Sequence, residues 1–475
     1  MTGKPPIPEE LWATIPAAAQ VALLVVFQHY EQRITDLERQ IDELRAQLGQ
    51  NSKNSSRPPS TDPPSLKAAA PRPRSGRKPG GQPGHALQRR HFLEPTQPPV
   101  VLRPDRCRGC GHALHGLDPR PLRHQVLELP TLRPDVADYY LHRLGCPRCG
   151  ETTCATLPEG VPEGQYGPRL QAVLALFSGA YRLSKRLIHS LCSDVLGVPI
   201  CPGQVCKLEA RSADALEPVV APLRDYVRVR DVLIDETGWR HQGQRAWLWA
   251  VVTNLVTLFQ VATSRSGRVA RDLLGPDYRH VASTDRYSAY HWLPCRRRQL
   301  CWSHLARDFQ AMVDRGGAGQ PIGEELLCCT QELFHWWHRV RDGTLARATF
   351  RSKMSELRGH VRRTLQRGSV DGCAKAAGVC RELLKREPSL WTFARVEGIE
   401  PTNNGVERAL RHAVQWRKLS YGTHGPSRSR FVSNILTVVA TCRQQGRHVL
   451  EFLTNCCHAQ LHAKPAPSLI PQVGV

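Results

Sequence analysis

VRDVLIDETGW (residues 229–239) is an apolar run that closes on a carboxylate. Val232, Leu233 and Ile234 favour a strand, and Asp235 ends the run. A bare buried carboxylate costs on the order of several kcal/mol, so one placed at the end of a hydrophobic strand is paired, hydrated or metal-bound. Downstream, RAWLWAVV (245–252) and LVTLFQVA (255–262) read as two further strands across a turn at Thr253-Asn254, with Trp247 and Trp249 as core residues. SRSGRVARDLLG (264–275) reads as a helix. HVASTD (280–285) is a fourth strand ending at Asp285, and RRRQLCWSHLARDF (296–309) supplies a fifth strand and another helix.

Three strands, helix, strand, helix, strand is the order of a ribonuclease H-like core, in which the first acid lies on the first strand and the second ends the fourth. A third acid, Glu407, stands in the helix-like run PTNNGVERALR (401–411), which Thr402 or Asn403 can cap. Each acid alone has an ordinary reading, such as a helix cap or a Glu407–Arg411 pair at i,i+4 worth about 0.3–0.5 kcal/mol. Together, three carboxylates from distant segments suggest a site for hard divalent cations, Mg²⁺ or Mn²⁺. Such ions activate water or a 3′-hydroxyl and stabilise a leaving oxygen.

Composition agrees with that chemistry. The 475 residues carry 65 Lys and Arg against 42 Asp and Glu, a formal net charge of +23, which favours a polyanionic partner over an acidic small substrate. Seventeen cysteines, including the adjacent pairs Cys328-Cys329 and Cys456-Cys457, suit reduced thiols with a metal-binding subset better than a disulfide scaffold. The apolar stretch 17–27 is too short to span a bilayer and runs straight into a charged helix, so a soluble cytoplasmic protein without a membrane partner is expected.

The expected organisation is multidomain α+β. In residues 1–50, Phe27, Tyr30, Ile34, Leu37, Ile41, Leu44 and Leu48 alternate four and three apart, which predicts a zipper-like helix joining copies of the chain into a homo-oligomer. Residues 51–97 are a basic Pro/Gly/Ser-rich linker. Residues 98–158 carry CRGC (Cys107, Cys110) and CPRC (Cys146, Cys149), two knuckles expected to form a structural Cys₄ zinc site, with RHQVLELP and DVADYYLHRL predicted as the hairpin that joins them. Residues 159–226 are helical and resemble a helix-turn-helix, with Ser184 as an N-cap and Arg182, Lys185, Arg186, Lys207 and Arg211 as candidate DNA contacts. The first part of the core is 227–310, a helical insertion of unread function fills 311–398, the second part is 399–455, and 456–475 is a tail.

NSSRPPS, GRKPGGQPGH, the two knuckles, IDETGW, TDRYSAY, CWSHLARDF and PTNNGVERALR occur in this order. By these motifs the chain resembles a bacterial insertion-sequence 66 family transposase over about residues 20–455. The resemblance implies a DDE enzyme with a ribonuclease H-like core, in which Asp235, Asp285 and Glu407 take the three acid positions. It implies DNA as partner (the element's terminal repeats and its target), possible accessory proteins of the same element, and a bacterial, nucleoid-associated setting. Two departures stand out: Cys201 where Ser is more frequent, weakening a helix cap, and Arg286 where Gly is common. Arg408 and Arg411, beside Glu407, suit phosphates of a bound end. His304 with Cys301 imitates a zinc half-site and is expected beside the acids or in packing. The rival readings are a non-catalytic dimeric DNA-binding regulator and a structure-selective nuclease of the same fold.

Overall fold

The computed structural model describes residues 7–55, 62, 91–371 and 373–471. Most of the basic linker, including GRKPGGQPGH, lies outside the described residues. The chain divides into two compact units, residues 63–135 and the remainder.

In the smaller unit the first knuckle is a tight turn. Cys107 N–H donates to the His112 carbonyl (2.9 Å), Gly111 N–H donates back to the Cys107 carbonyl (2.9 Å), and Gly111 adopts φ +75°, which glycine reaches without strain. The hairpin expected between the knuckles does not form. RHQVLELP and most of DVADYYLHRL make no ladder, and Val126, Leu129, Val136 and Tyr140 are exposed. Their apolar alternation has no second layer to bury against, and an unsupported two-stranded ribbon is marginal in water.

The larger unit begins with α1 (Glu9–Ala13) and the 32-residue α2 (Ala17–Leu48). The heptad side chains Tyr30, Ile34, Leu37, Ile41, Leu44 and Leu48 all lie exposed along α2. The second knuckle is closed by β1 (Arg143–Gly145) pairing antiparallel with β2 (Thr152–Cys154), and it repeats the turn of the first: Cys146 N–H to Glu151 O and Gly150 N–H to Cys146 O, each 2.8 Å.

Three helices follow, α3 (Pro168–Gly179), α4 (Lys185–Asp194) and α5 (Pro202–Arg228). Ser184 caps α4, its Oγ accepting Leu187 N–H at 3.2 Å. Cys201 stands at the α5 N-cap and makes no side-chain cap bond, as expected from its departure. Ile188, Cys192, Val198 and Ile200 seat α4 and its turn on α5. The inner faces of α3 and α5 join the same hydrophobic core as the sheet.

That sheet is mixed. β3 (Val232–His241), β4 (Gln244–Val252) and β5 (Thr257–Ala262) form an antiparallel meander, α6 (Gly267–Leu274) crosses over, and β6 (Ala282–Thr284) and β7 (Arg298–Leu300) add parallel to β3. The order is β5-β4-β3-β6-β7, so β3 is central. The apolar run VLI opens β3 rather than closing on Asp235: the strand continues to His241, with Asp235 opposite Ala250 of β4. The helix expected between β6 and β7 is replaced by two 3₁₀ turns, Ser288–Tyr290 and Cys295–Arg297. Pro294 breaks that short connection, and carbonyls of the loop turn inward to meet Arg298.

α7 (Trp302–Arg315) leads into the insertion: α8 (Gly319–Arg341), α9 (Arg347–Asp371), α10 (Ala374–Lys385) and the short α11 (Thr392–Arg395). These helices have a core of their own, built around Trp302, Phe309, Phe350, Trp391 and Phe393, each such side chain worth about 1.5–3 kcal/mol on burial. The chain returns with α12 (Asn404–Ser420), α13 (Pro426–Gln444) and α14 (Val449–Leu461). α13 lies along β5. Ser433 Oγ, Thr437 Oγ1 and Thr441 Oγ1, one helical turn apart, accept the N–H groups of Val261 (3.0 Å), Phe259 (2.9 Å) and Thr257 (3.1 Å).

Among the described residues no helix is long and apolar enough to cross a membrane.

Candidate active site

Strand alternation sets the first carboxylate. Along β3, Ile234 and Glu236 face the buried side, while Leu233, Asp235 and Thr237 share the opposite, half-buried face. The N-terminus of α12 presses on that face: a Cβ on Gly405 would stand 2.5 Å from Leu233 Cδ1. Asp235 Oδ1 accepts the Glu236 N–H at 2.9 Å. Burial, then the neighbouring charges of Glu236 and Asp285, with a further contribution from Glu407, raise the Asp235 carboxyl well above the usual carboxylate range.

Asp285 follows β6 directly. Its Oδ1 accepts Tyr287 N–H (2.9 Å), and its carbonyl accepts Arg298 Nη2 (2.7 Å) and Thr284 Oγ1 (2.7 Å). Arg298 is 1% exposed. It also donates through Nε to Thr284 Oγ1 (2.8 Å) and through Nη1 to Tyr290 O (3.3 Å), so one guanidinium holds the whole turn that carries Asp285. Burial lowers its pKa to about 10, so it remains a cation near neutrality.

Glu407 reaches the site through a relay of backbone contacts. Cys301 N–H donates to Thr284 O (2.9 Å), Trp302 N–H donates to Pro401 O (2.9 Å), and Asn403 N–H donates to Cys301 Sγ (3.3 Å). The start of α7 thus ties the second acid's strand to the segment opening α12, whose first turn carries Glu407. Glu407 Oε1 lies 3.5 Å from His304 Nε2 and 3.8 Å from Arg307 Nη2, with 38% of the side chain exposed. Burial, then Arg307, lowers His304 to about 4, so the imidazole is neutral at pH 7. Asn403 stands at the N-cap but makes no cap bond, and both its side-chain amide atoms are buried without a partner. Its backbone (φ −100°, ψ 22°) is not the extended conformation in which a cap side chain reaches the first turn.

Carboxylate oxygens are the donors that a hard divalent cation takes, and by donor type the trio fits Mg²⁺. Among the described residues, however, no group of three or more His, Cys, Asp or Glu side chains is gathered as a finished metal site. Each knuckle offers a pair of thiols. Cys107 and Cys146 have lowered pKa values, chiefly from backbone N–H groups of Cys110 and Gly109 and of Arg148 and Cys149 respectively. Cys301 is buried, which raises its thiol to about 11, and its Sγ accepts the Asn403 N–H.

The remaining sequence-predicted residues divide. Arg186, Lys207, Arg211, Arg408 and Arg411 are exposed. Lys185 pairs instead with the buried Glu209 and with Ser178 Oγ (3.0 Å). Arg182 turns toward His412.

Three neighbours of the acids escaped the sequence reading. Arg298 looked like one of three consecutive arginines. Glu236, adjacent to Asp235, points to the other face and accepts both Tyr290 OH and Arg265 Nε at 2.5 Å. Arg286 reaches Asp308 of α7 (Nε–Oδ2 2.7 Å) and Glu382 of α10, fastening the insertion to the turn after Asp285. Only Arg286 left a signal, its departure from glycine.

Comparison with known proteins covers the same ground. Residues 163–427, more than half of the chain and all three acids, match the family described as "Transposase IS66 family". Residues 6–91 match a family of unknown function, DUF6444. An uncharacterized protein, y4qI, of Sinorhizobium fredii is 28% identical over 268 residues, covering 49% of each chain. The chain thus spans about half the length of that curated relative.

Proposed function

The chain belongs to the IS66 family of transposases, and from that premise we propose that it cuts transposon ends and joins their 3′-hydroxyls to target DNA with Asp235, Asp285 and Glu407 as the DDE trio. The observation that carries the proposal is topological: Asp235 lies on the central strand β3, Asp285 directly follows the neighbouring β6, and the start of α12, whose first turn carries Glu407, packs on β3 at Leu233. The strand order β5-β4-β3-β6-β7, three antiparallel and two parallel, supports a ribonuclease H-like core.

Asp235, Asp285 and Glu407 would hold Mg²⁺ or Mn²⁺. When bound, the cation supplies Lewis-acid activation of water or a 3′-hydroxyl and stabilisation of the leaving oxygen. The chain's own groups hold the geometry. Arg298 and the Tyr287 N–H fix Asp285, the Glu236–Tyr290–Arg265 cluster braces β3 from behind, and neutral His304 with Arg307 flanks Glu407. No covalent protein–DNA intermediate is required.

The flanking segments complete the reading. The exposed stripe on α2 is proposed to join copies of the chain, Cys107, Cys110, Cys146 and Cys149 to bind structural zinc, and Arg186, Lys207 and Arg211 to lie against DNA.

The test uses purified protein, Mg²⁺ and labelled DNA bearing the element's terminal repeats, with Asp235→Ala and Glu407→Gln alongside. Nicking and joining that need metal and vanish in both variants are expected. Full strand transfer by Asp235→Ala would overturn the assignment. Cutting without joining would favour the nuclease. Binding without cleavage, even after the element's other proteins are added, would favour the regulator.

A further inference from the structure

A second basic site lies beside the acids. A cleft of about 530 Å³ runs between α12, α13 and the sheet. Its floor is apolar, with Leu233, Val252, Phe259, Leu436 and Val439, and its rim carries Arg408, Arg411, His412 and Arg443. Leu233 and Gly405 place the cleft next to Asp235 and Glu407 on the same face of the sheet. Glu400 is the one carboxylate of the lining.

The charges of the rim are uncompensated. Among the described residues, neither Arg408, Arg411 or Arg443, nor Arg182 beside them, has a carboxylate within ion-pair distance. His412 is held between two guanidinium groups, with Arg182 Nη1 at its Nδ1 and Arg443 Nη1 3.3 Å from its Nε2. Burial, then the two arginines, lower its pKa, so the ring is neutral. A neutral imidazole has one lone pair and one N–H, so it accepts from only one of these donors and sets its own N–H against the other. Arg182 reaches this position from a left-handed backbone, φ 60°, a conformation that L side chains rarely adopt. Opposed donors and unpaired guanidinium groups meet at His412, and an anionic oxygen seated between Arg182 and Arg443 would satisfy both.

We infer that this cleft binds a phosphodiester of a DNA strand, with Arg182, His412 and Arg443 on the phosphate, Arg408 and Arg411 on the backbone next to it, and the apolar floor under the attached sugar or base. The inference rests on DNA being the substrate. It extends the path of the bound strand from the acids along the face beneath α12 and α13. An apolar floor beneath a basic rim suits a nucleotide unit better than a bare ion, because the floor adds contact area that an inorganic anion cannot use.

The test is binding of a fluorescent oligonucleotide in EDTA, read by anisotropy across a salt series, so that the outcome is independent of metal and of chemistry at the acids. Arg411→Gln with Arg443→Gln is expected to weaken binding roughly tenfold and to flatten the log–log salt slope by about two, one per lost phosphate contact. Arg443→Lys, which keeps the charge, should recover part of the slope and guards against a folding defect. Arg362→Gln with Arg363→Gln removes the same charge from an exposed face of α9 and serves as the control. Equal behaviour of the two pairs would overturn the cleft. Inorganic phosphate at constant ionic strength that protects His412 from carbethoxylation, with DNA binding unchanged in the cleft pair, would make this a free-anion site and overturn the DNA reading. The acids are read separately, by Mg²⁺-dependent nicking and joining, so failure of the acid assignment and failure of the cleft are separately visible.

Discussion

Arg298→Met separates holding the active site from holding the fold. The guanidinium makes two short bonds, 2.8 Å to Thr284 Oγ1 and 2.7 Å to Asp285 O, and two longer ones to the carbonyls of Tyr290 (3.3 Å) and Tyr287 (3.5 Å). Charge-assisted bonds of this kind contribute about 1.5–3 kcal/mol each, so the short pair is worth roughly 3–6 kcal/mol. Against this stands burial of the cation. A pKa lowered from 12.5 to about 10 is a bias of roughly 3 kcal/mol against the charged form at about 1.4 kcal/mol per unit. Methionine fills similar volume without that cost, and because the acceptors are neutral no bare charge is left behind. Global stability should therefore fall by only about 1–3 kcal/mol in urea denaturation. The turn carrying Asp285 loses its anchor, and a displacement near 1 Å costs on the order of a hundredfold in rate. Strand transfer on terminal-repeat DNA should drop by about that factor, with the Mg²⁺ concentration for half-maximal activity raised. A change in stability alone would not move that concentration. Arg298→Lys, which keeps the charge and loses the fork, should stay well below wild type. Full activity in Arg298→Met, or an unchanged Mg²⁺ requirement, would refute the positioning role.

Other outcomes follow from the same geometry. Asp235 has a folded pKa above its unfolded value, so the native state holds the extra proton, and stability falls as pH rises from about 4 through that raised value. Asp235→Asn should therefore melt higher than wild type at pH 7 without metal, with the gain disappearing below about pH 4. Mg²⁺ should raise the melting temperature of wild type and leave the variant unmoved. Cys107→Ser or Cys146→Ser should abolish bound zinc, measured by elemental analysis at one ion per chain in wild type; equal zinc in the variants would remove the Cys₄ site. Leu37→Glu, in the exposed stripe of α2, should lower the molar mass by light scattering to that of a monomer, and an unchanged mass would sink the zipper.

What the sequence made legible was whatever depends on local pattern. VLI, RAWLWAVV and LVTLFQVA carry enough strand-forming side chains to announce the meander, and Ser184 announces a cap that it makes. Acids flanked by such runs could be picked out before any geometry was known. The hairpin between the knuckles failed because alternation signals a strand only where a second layer exists to cover it. Arg298 and Glu236 were invisible for a different reason. Their roles depend on Thr284, Tyr290 and Arg265 folding against them, and a charged residue in a strand-like run gives no hint of which face it takes. The relay from Cys301 through Pro401 and Asn403 bridges the whole insertion, so no spacing rule connects Asp285 to Glu407.

The hydroxyl row of α13 has a consequence for how the sheet meets other copies of the chain. Strand β5 is the edge of the sheet, and its outward N–H groups are covered by Ser433, Thr437 and Thr441, side chains that lie more than 170 residues further along the chain. An open edge of this kind is a template for pairing with another chain. A chain broken between β5 and these residues would keep its basic segments yet display an unsealed, Val- and Phe-bearing strand. Such a chain is expected to pair its open edge with another copy, so the hydroxyl row of α13 keeps the intact sheet from associating edge to edge.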